Sequence, residues 1–130
     1  MRARMLVLII MGITACSSLV ANANVGQGFA TYYNPPYVPS ACYGYQNNGV
    51  MVAGVSPTLW GNKAACGKTY KVTCIGSGNA DPHPCIPGAS VVVKVVDYCP
   101  GCPGPINLSK DAFAVIANPA AGKIVVSYSE

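Results

Sequence analysis

Apolar and polar positions alternate in short bursts along this chain. In Lys68-Thr69-Tyr70-Lys71-Val72-Thr73-Cys74, the residues Tyr70, Val72 and Cys74 fall on one face and the Lys/Thr set on the other. That period of two is the mark of a half-buried strand. Similar segments predict strands over Gly28–Tyr33, Val50–Val55, Lys68–Ile75, Ser90–Val96 and Lys123–Tyr128. Val91 to Val96 is almost continuously β-branched, which predicts a strand covered on both sides. Asn47-Asn48-Gly49 is a tight-turn signal.

A helical period appears late in the chain. Ser109 can cap the orphan amides of a helix start, and Asp111 in the first turn suits the dipole. Leu108 and Phe113 have the spacing of a hydrophobic staple, while Phe113, Ile116 and Ala117 share a face. Asn118-Pro119 ends it. All eleven Pro and thirteen of the fourteen Gly lie beyond residue 23, and this punctuation argues against long helices. The expectation is one mainly β domain with one or two short helices.

The first stretch follows a different pattern. Arg2 and Arg4 precede the apolar run Met5 to Ile13, and Ala21-Asn22-Ala23 has the A-x-A form of a cleavage site. Residues 1–23 read as a secretory signal peptide, too short to span a bilayer, and residues 24–130 as the working domain. The protein is therefore expected outside the cell, without a membrane span and as a monomer. Removing the leader lowers the net charge from +4 to +2, with six Lys against four acids. No nucleic-acid-binding electrostatics survive that subtraction.

Cys16 leaves with the leader, and Cys42, Cys66, Cys74, Cys85, Cys99 and Cys102 remain. An even number in a small secreted chain reads as three disulfides, although six cysteines permit fifteen pairings. Zinc would need reduced thiols in ligand pairs, and only Cys99 and Cys102 are closely spaced. Cys99-Pro100-Gly101-Cys102 has the spacing of a dithiol oxidoreductase. Pro103 and Gly104 follow directly, so no helix starts there to stabilise a thiolate, and a structural turn bridge is the better reading. His83 has no partner at ligand spacing except Asp81. We assign no metal and no cofactor.

Five segments occur in an informative order: Gly28-Phe29-Ala30-Thr31-Tyr32-Tyr33, Ala41-Cys42-Tyr43-Gly44, Ala65-Cys66-Gly67-Lys68, Val93 to Cys99, and Asn107 to Phe113. Together they resemble the N-terminal domain of expansins and, more closely, the single-domain plant natriuretic peptides, also called EG45-like domain proteins. The resemblance spans essentially the whole mature chain. It implies a six-stranded double-psi β-barrel, the fold of family-45 endoglucanases and of barwin. It also implies the pairs Cys42–Cys66, Cys74–Cys85 and Cys99–Cys102.

The resemblance sharpens the question of catalysis. Inverting glycoside hydrolysis needs two carboxyl groups, roughly 6.5–9.5 Å apart, one giving a proton and one activating water. The mature chain holds Asp81, Asp97, Asp111 and Glu130. The position of the general acid in hydrolytic relatives is Asn107, whose amide has no proton to transfer. The position of the base falls on Asn34-Pro35-Pro36, again without a carboxylate. Hydrolysis is therefore not expected. Asp97 has two readings: a groove residue that binds a sugar hydroxyl with Thr31 and Tyr33, or a carboxylate that accepts backbone amides in the following turn. Asn107 completes this degenerate groove.

Tyr32, Tyr33, Tyr37, Tyr43 and Tyr45 crowd one stretch, and Trp60 follows. Planar rings with a polar edge suit sugar stacking or partner anchoring, and some also fill a small core. Tyr37, Tyr43, Tyr45 and Trp60 are the candidates for a partner surface. Asn107-Leu108-Ser109 is an N-glycosylation sequon, so Asn107 is also a candidate glycan acceptor. The resemblance implies a secreted, non-enzymatic signalling protein of the apoplast that affects water, ion and solute balance through a cell-surface receptor or other plasma-membrane protein. The alternative it implies is a wall-loosening or polysaccharide-binding protein of the cell wall.

Overall fold

All but the first residue of the alternating segment Lys68–Cys74 lies within the strand Thr69–Ser77, with Tyr70 and Val72 fully buried and Thr69 and Lys71 facing water. The computed structural model describes residues 25–130; the leader assigned to residues 1–23 lies outside them. In chain order the elements are β1 (Val25–Tyr33), β2 (Val52–Val55), α1 (Pro57–Trp60), β3 (Thr69–Ser77), β4 (Ser90–Tyr98), β5 (Ile106–Ser109), α2 (Lys110–Ile116), a 3-10 turn (Pro119–Ala121) and β6 (Ile124–Ser129).

The six strands close into a barrel in the order β1-β5-β2-β4-β3-β6. Two neighbouring pairs, β1 with β5 and β2 with β4, run parallel, and all other neighbours run antiparallel. This is the double-psi β-barrel. Tyr70, Val72, Val93, Val95, Ile106, Leu108, Ile124 and Val126 are buried in one cluster with the α2 residues Phe113 and Ile116. Each such side chain contributes about 1.5–3 kcal/mol when fully buried. The barrel interior is packed with them, so any ligand has to sit on the outer surface.

β4 differs from the expectation of a doubly covered strand. Val91, Val93 and Val95 point inward, whereas Val92 on the outer face is 58% exposed. Only the second half of the strand is covered outside, where Val96 joins Val52 and Tyr37 in a separate small cluster. The cause is the segment after β1, which folds over the end of β4 and leaves its beginning bare.

α2 starts as its sequence predicts. The Ser109 hydroxyl accepts from the Ala112 amide at 3.1 Å and donates to the Val50 carbonyl at 2.6 Å. Leu108 and Phe113 lie fully buried in the same cluster. α1 is the second of the one or two short helices expected; its position was not placed, although Ser56-Pro57 at its start and Gly61 at its end (φ 56°) are ordinary helix punctuation.

The bridges are Cys42–Cys66, Cys74–Cys85 and Cys99–Cys102, as the resemblance implied. The first ties the loop after β1 to the segment that leads into β3. The third closes the turn between β4 and β5, and no helix begins there.

Candidate functional site

Strand register sets four residues in one row across four neighbouring strands. Thr31 on β1 lies opposite Asn107 on β5, Asn107 opposite Gly54 on β2, and Gly54 opposite Asp97 on β4. Opposed residues in a sheet project to the same side. The Thr31 hydroxyl donates to Asn107 Oδ1 at 2.9 Å, so the Asn107 amide nitrogen is left as a free donor among the described residues. Gly54 contributes no side chain, and the row therefore has a gap between Asn107 and Asp97. A Cβ at Gly54 would come within 3.5 Å of the Asp97 Cβ. The register shift between Ala53 and Gly54, a bulge of the kind that re-aims a side chain, brings Asp97 to this position.

Both readings of Asp97 meet in this geometry. Its Oδ1 accepts from the Tyr98 amide at 2.9 Å and from the Ala41 amide at 3.0 Å, so it anchors the turn and the 34–51 loop. Its Oδ2 has no partner among the described residues. One oxygen is structural and the other remains an acceptor beside the gap.

Tyr33, two places beyond Thr31, is on the same side of β1, yet its hydroxyl is enclosed and makes no hydrogen bond among the described residues. Burial, then the charge of Asp97 and then Tyr37, push this phenol well above the usual tyrosine range. The Tyr37 ring meets it edge-on at 5.2 Å. The groove is thus narrower than the sequence implied: Thr31, Gly54, Asp97 and Asn107 face it, and the Tyr33 hydroxyl does not.

The partner-surface candidates divide in the same way. Tyr37 is 9% exposed, and its hydroxyl donates to Asp111 Oδ2 at 2.7 Å. The Pro-rich loop lies outside the barrel as expected but tucks this ring back over β2 and β4, which removes Tyr37 from the surface set. Burial and the Asp111 hydrogen bond raise its phenol too. Tyr43 packs against the same cluster, with the Lys94 ammonium 4.7 Å from its ring centre. Trp60 stacks on Tyr98 at 4.8 Å and leans on the main core. Tyr32 packs on Phe113. Tyr45 alone among these rings stands clear, 81% exposed.

The other acids are engaged elsewhere. Asp81 accepts from the His83 amide within its loop, and Glu130 lies 3.6 Å from the Lys68 ammonium. Among the described residues no three His, Cys, Asp or Glu side chains are grouped to hold a metal, and no helix is long and apolar enough to cross a membrane. Asn34 is exposed. Gly54 and Asp111 were not foreseen as site residues. Gly54 carries no local signal, because its role depends on register.

The closed barrel with a polar row on its outer face defines an expansin-like double-psi β-barrel protein. A family model described as lytic transglycolase matches residues 52–128. The apo expansin of Clavibacter michiganensis superposes with a TM-score of 0.62 at 29% identity, covering 81% of this chain and 49% of that one. A point mutant of that expansin in complex with cellohexaose superposes at 0.61 with 30% identity and the same coverage. An EG45-like domain containing protein of Citrus jambhiri is 50% identical over 129 residues, 98% of this chain and 95% of its own length. The chain belongs to the EG45-like domain protein family. It spans about half the length of the expansins it superposes on.

Proposed function

We propose that this is an extracellular, non-hydrolytic protein that binds a β-linked cell-wall glucan across the Thr31–Asn107–Gly54–Asp97 row. The observation that carries the reading is the row itself. A free amide donor and a free carboxylate oxygen flank a side-chain-free floor, a pattern that complements the alternating donors and acceptors of sugar hydroxyls. The cellohexaose complex of the related expansin supports a glucan as ligand. The leader-like residues 1–23 support an apoplastic or wall location.

Two features oppose hydrolysis. Asn107 cannot donate a proton, and Asp97 is the only carboxylate in the row, with one oxygen fixed by two backbone amides. A lytic scheme, which uses no water as nucleophile, would rely on the same lone carboxylate with no titratable neighbour in the row. The test is calorimetric titration of the disulfide-bonded protein with cellohexaose, xyloglucan oligosaccharide and pectin fragments. Saturable glucan binding, reduced about tenfold or more by Asp97→Ala, is expected, because hydrogen bonds to charged groups contribute about 1.5–3 kcal/mol. Absence of saturable glucan binding overturns it.

A second reading, signalling of the plant natriuretic peptide type through a plasma-membrane receptor, is favoured by one feature. Tyr45, Val50 and Met51, on a single uncharged loop, are 81%, 49% and 36% exposed. Crosslinking to membrane proteins that is lost in Tyr45→Ala and retained in Asp97→Ala would establish this reading over the first.

A further inference from the structure

A cavity of about 430 Å³ is walled by the 35–40 and 46–50 loops. α2 holds both walls in place: Asp111 binds the Tyr37 hydroxyl on one side, and Ser109 binds the Val50 carbonyl on the other. The floor is apolar and buried, formed by Val52, Val96 and the Tyr37 ring. The amides at the rim are largely committed. Asn47 Oδ1 accepts from the Gly49 amide, and Asn48 spans the Gln46 carbonyl and the Lys94 ammonium.

One charged group lines this space, the carboxylate of Asp111. Its Oδ2 takes the Tyr37 hydroxyl, while Oδ1 accepts no hydrogen bond among the described residues. No cation lines the cavity with it. Lys94 is held away by Asn48 and the Tyr43 ring, and Lys110 shares a neighbouring shallow depression with Asp111, its ammonium 6.0 Å from the Tyr32 ring.

We propose that this cavity is a second ligand site, for a small molecule with an apolar body and one protonated nitrogen, an arylalkyl or alkyl amine. The volume falls within the range of small-molecule sites, and an apolar floor with one placed polar group is their usual composition. The ring or chain of the ligand replaces water over Pro36, Val38 and Val50, above the buried floor, while its ammonium donates to Asp111 Oδ1. A ligand carboxylate would meet Asp111 as a like charge and is disfavoured. The site is independent of the groove: none of Thr31, Gly54, Asp97 and Asn107 lines it.

The test is amide-resolved NMR titration of the disulfide-bonded protein with phenethylamine, 2-phenylethanol and 3-phenylpropionate. Expected are saturable shifts of Tyr37, Val38 and Asn47–Val50 with phenethylamine, with half-saturation below about 1 mM, which ligands of this size can reach. Asp111 is exposed, so the alcohol should bind about two- to fivefold more weakly than the amine, and the carboxylate more weakly still. Asp111→Asn keeps an acceptor for Tyr37 and should bring the amine down to the level of the alcohol. No saturation by the amine up to about 10 mM, equal binding of the carboxylate, or shifts confined to the polar row would each overturn the proposal.

Discussion

Replacing Tyr33 by Phe should stabilise this protein and leave its groove intact. The Tyr33 hydroxyl is enclosed without a hydrogen-bond partner among the described residues. Leaving such a group unpaired costs about 1–3 kcal/mol. Deleting one oxygen opens a void of roughly 10–15 Å³, worth about 0.3 kcal/mol of lost packing. The balance favours Phe by about 1 kcal/mol, a rise in Tm of about 4–8 °C for a domain near this size. The pH dependence follows from the same burial. The phenol is raised in the folded state from 10.0 by burial, then by Asp97, then by Tyr37, so above that value the folded chain binds more protons than the unfolded one. Stability is complete below pH 10 and is lost as pH rises beyond it. Tyr37 and Tyr128 are raised in the same direction and share the effect. The variant should therefore gain more over wild type at about pH 11 than at about pH 7. Denaturant unfolding at both pH values and cellohexaose titration are the assays. A loss of about 1 kcal/mol or more, a gap that narrows with alkalinity, or a glucan affinity that falls as far as in Asp97→Ala would refute the burial argument.

Three further outcomes follow from the geometry. Asn107→Asp should not install β-glucan hydrolysis, since a carboxyl bonded to Thr31 would have only Asp97, one oxygen of which two backbone amides hold, as a second carboxylate in the row; reducing-sugar release above an Asp97→Ala background would contradict this. Paired Cys→Ser variants should rank by sequence separation, 24 residues for Cys42–Cys66, 11 for Cys74–Cys85 and 3 for Cys99–Cys102. Loop entropy sets these at about 3.5, 2.8 and 1.9 kcal/mol, and equal Tm losses in thermal melts would count against it. The sequon at Asn107 should be empty in the secreted protein, because Asn107 Oδ1 is held by Thr31 and the Ser109 hydroxyl is buried as a cap; an intact mass that drops on N-glycosidase treatment would show otherwise.

What the sequence made legible is what depends on neighbours along the chain. β3 follows from alternation, and α2 from Ser109 and the Leu108–Phe113 staple. β5 was invisible, because four residues buried at three positions carry no period, and the same residues read naturally as a helix lead-in. Register was equally hidden. Asp97 and Asn107 were nameable from motif resemblance, but Gly54, which separates them, becomes meaningful only once β2 lies between β4 and β5. Tyr37 was misplaced for a related reason. In sequence it is an aromatic in a Pro-rich loop, and its burial depends on an acid 74 residues away that satisfies its hydroxyl.

The five residues from Asn107 to Asp111 concentrate most of these dependencies. Leu108 fills the barrel, Ser109 caps α2 and holds Val50, and Asp111 holds Tyr37. Asn107, by contrast, makes one side-chain hydrogen bond, to Thr31. That bond needs only an acceptor oxygen, which a carboxylate and an amide both provide with nearly the same shape. An acid and an amide can therefore be exchanged here at little cost to the fold, whereas loss of the Ser109 hydroxyl would loosen a loop as well. Catalytic capacity and structural integrity are separable at position 107 and inseparable two residues later. Loss of binding in a Ser109 variant would consequently report loop geometry, and Asn107 is the position where altered binding can be read as chemistry at the groove.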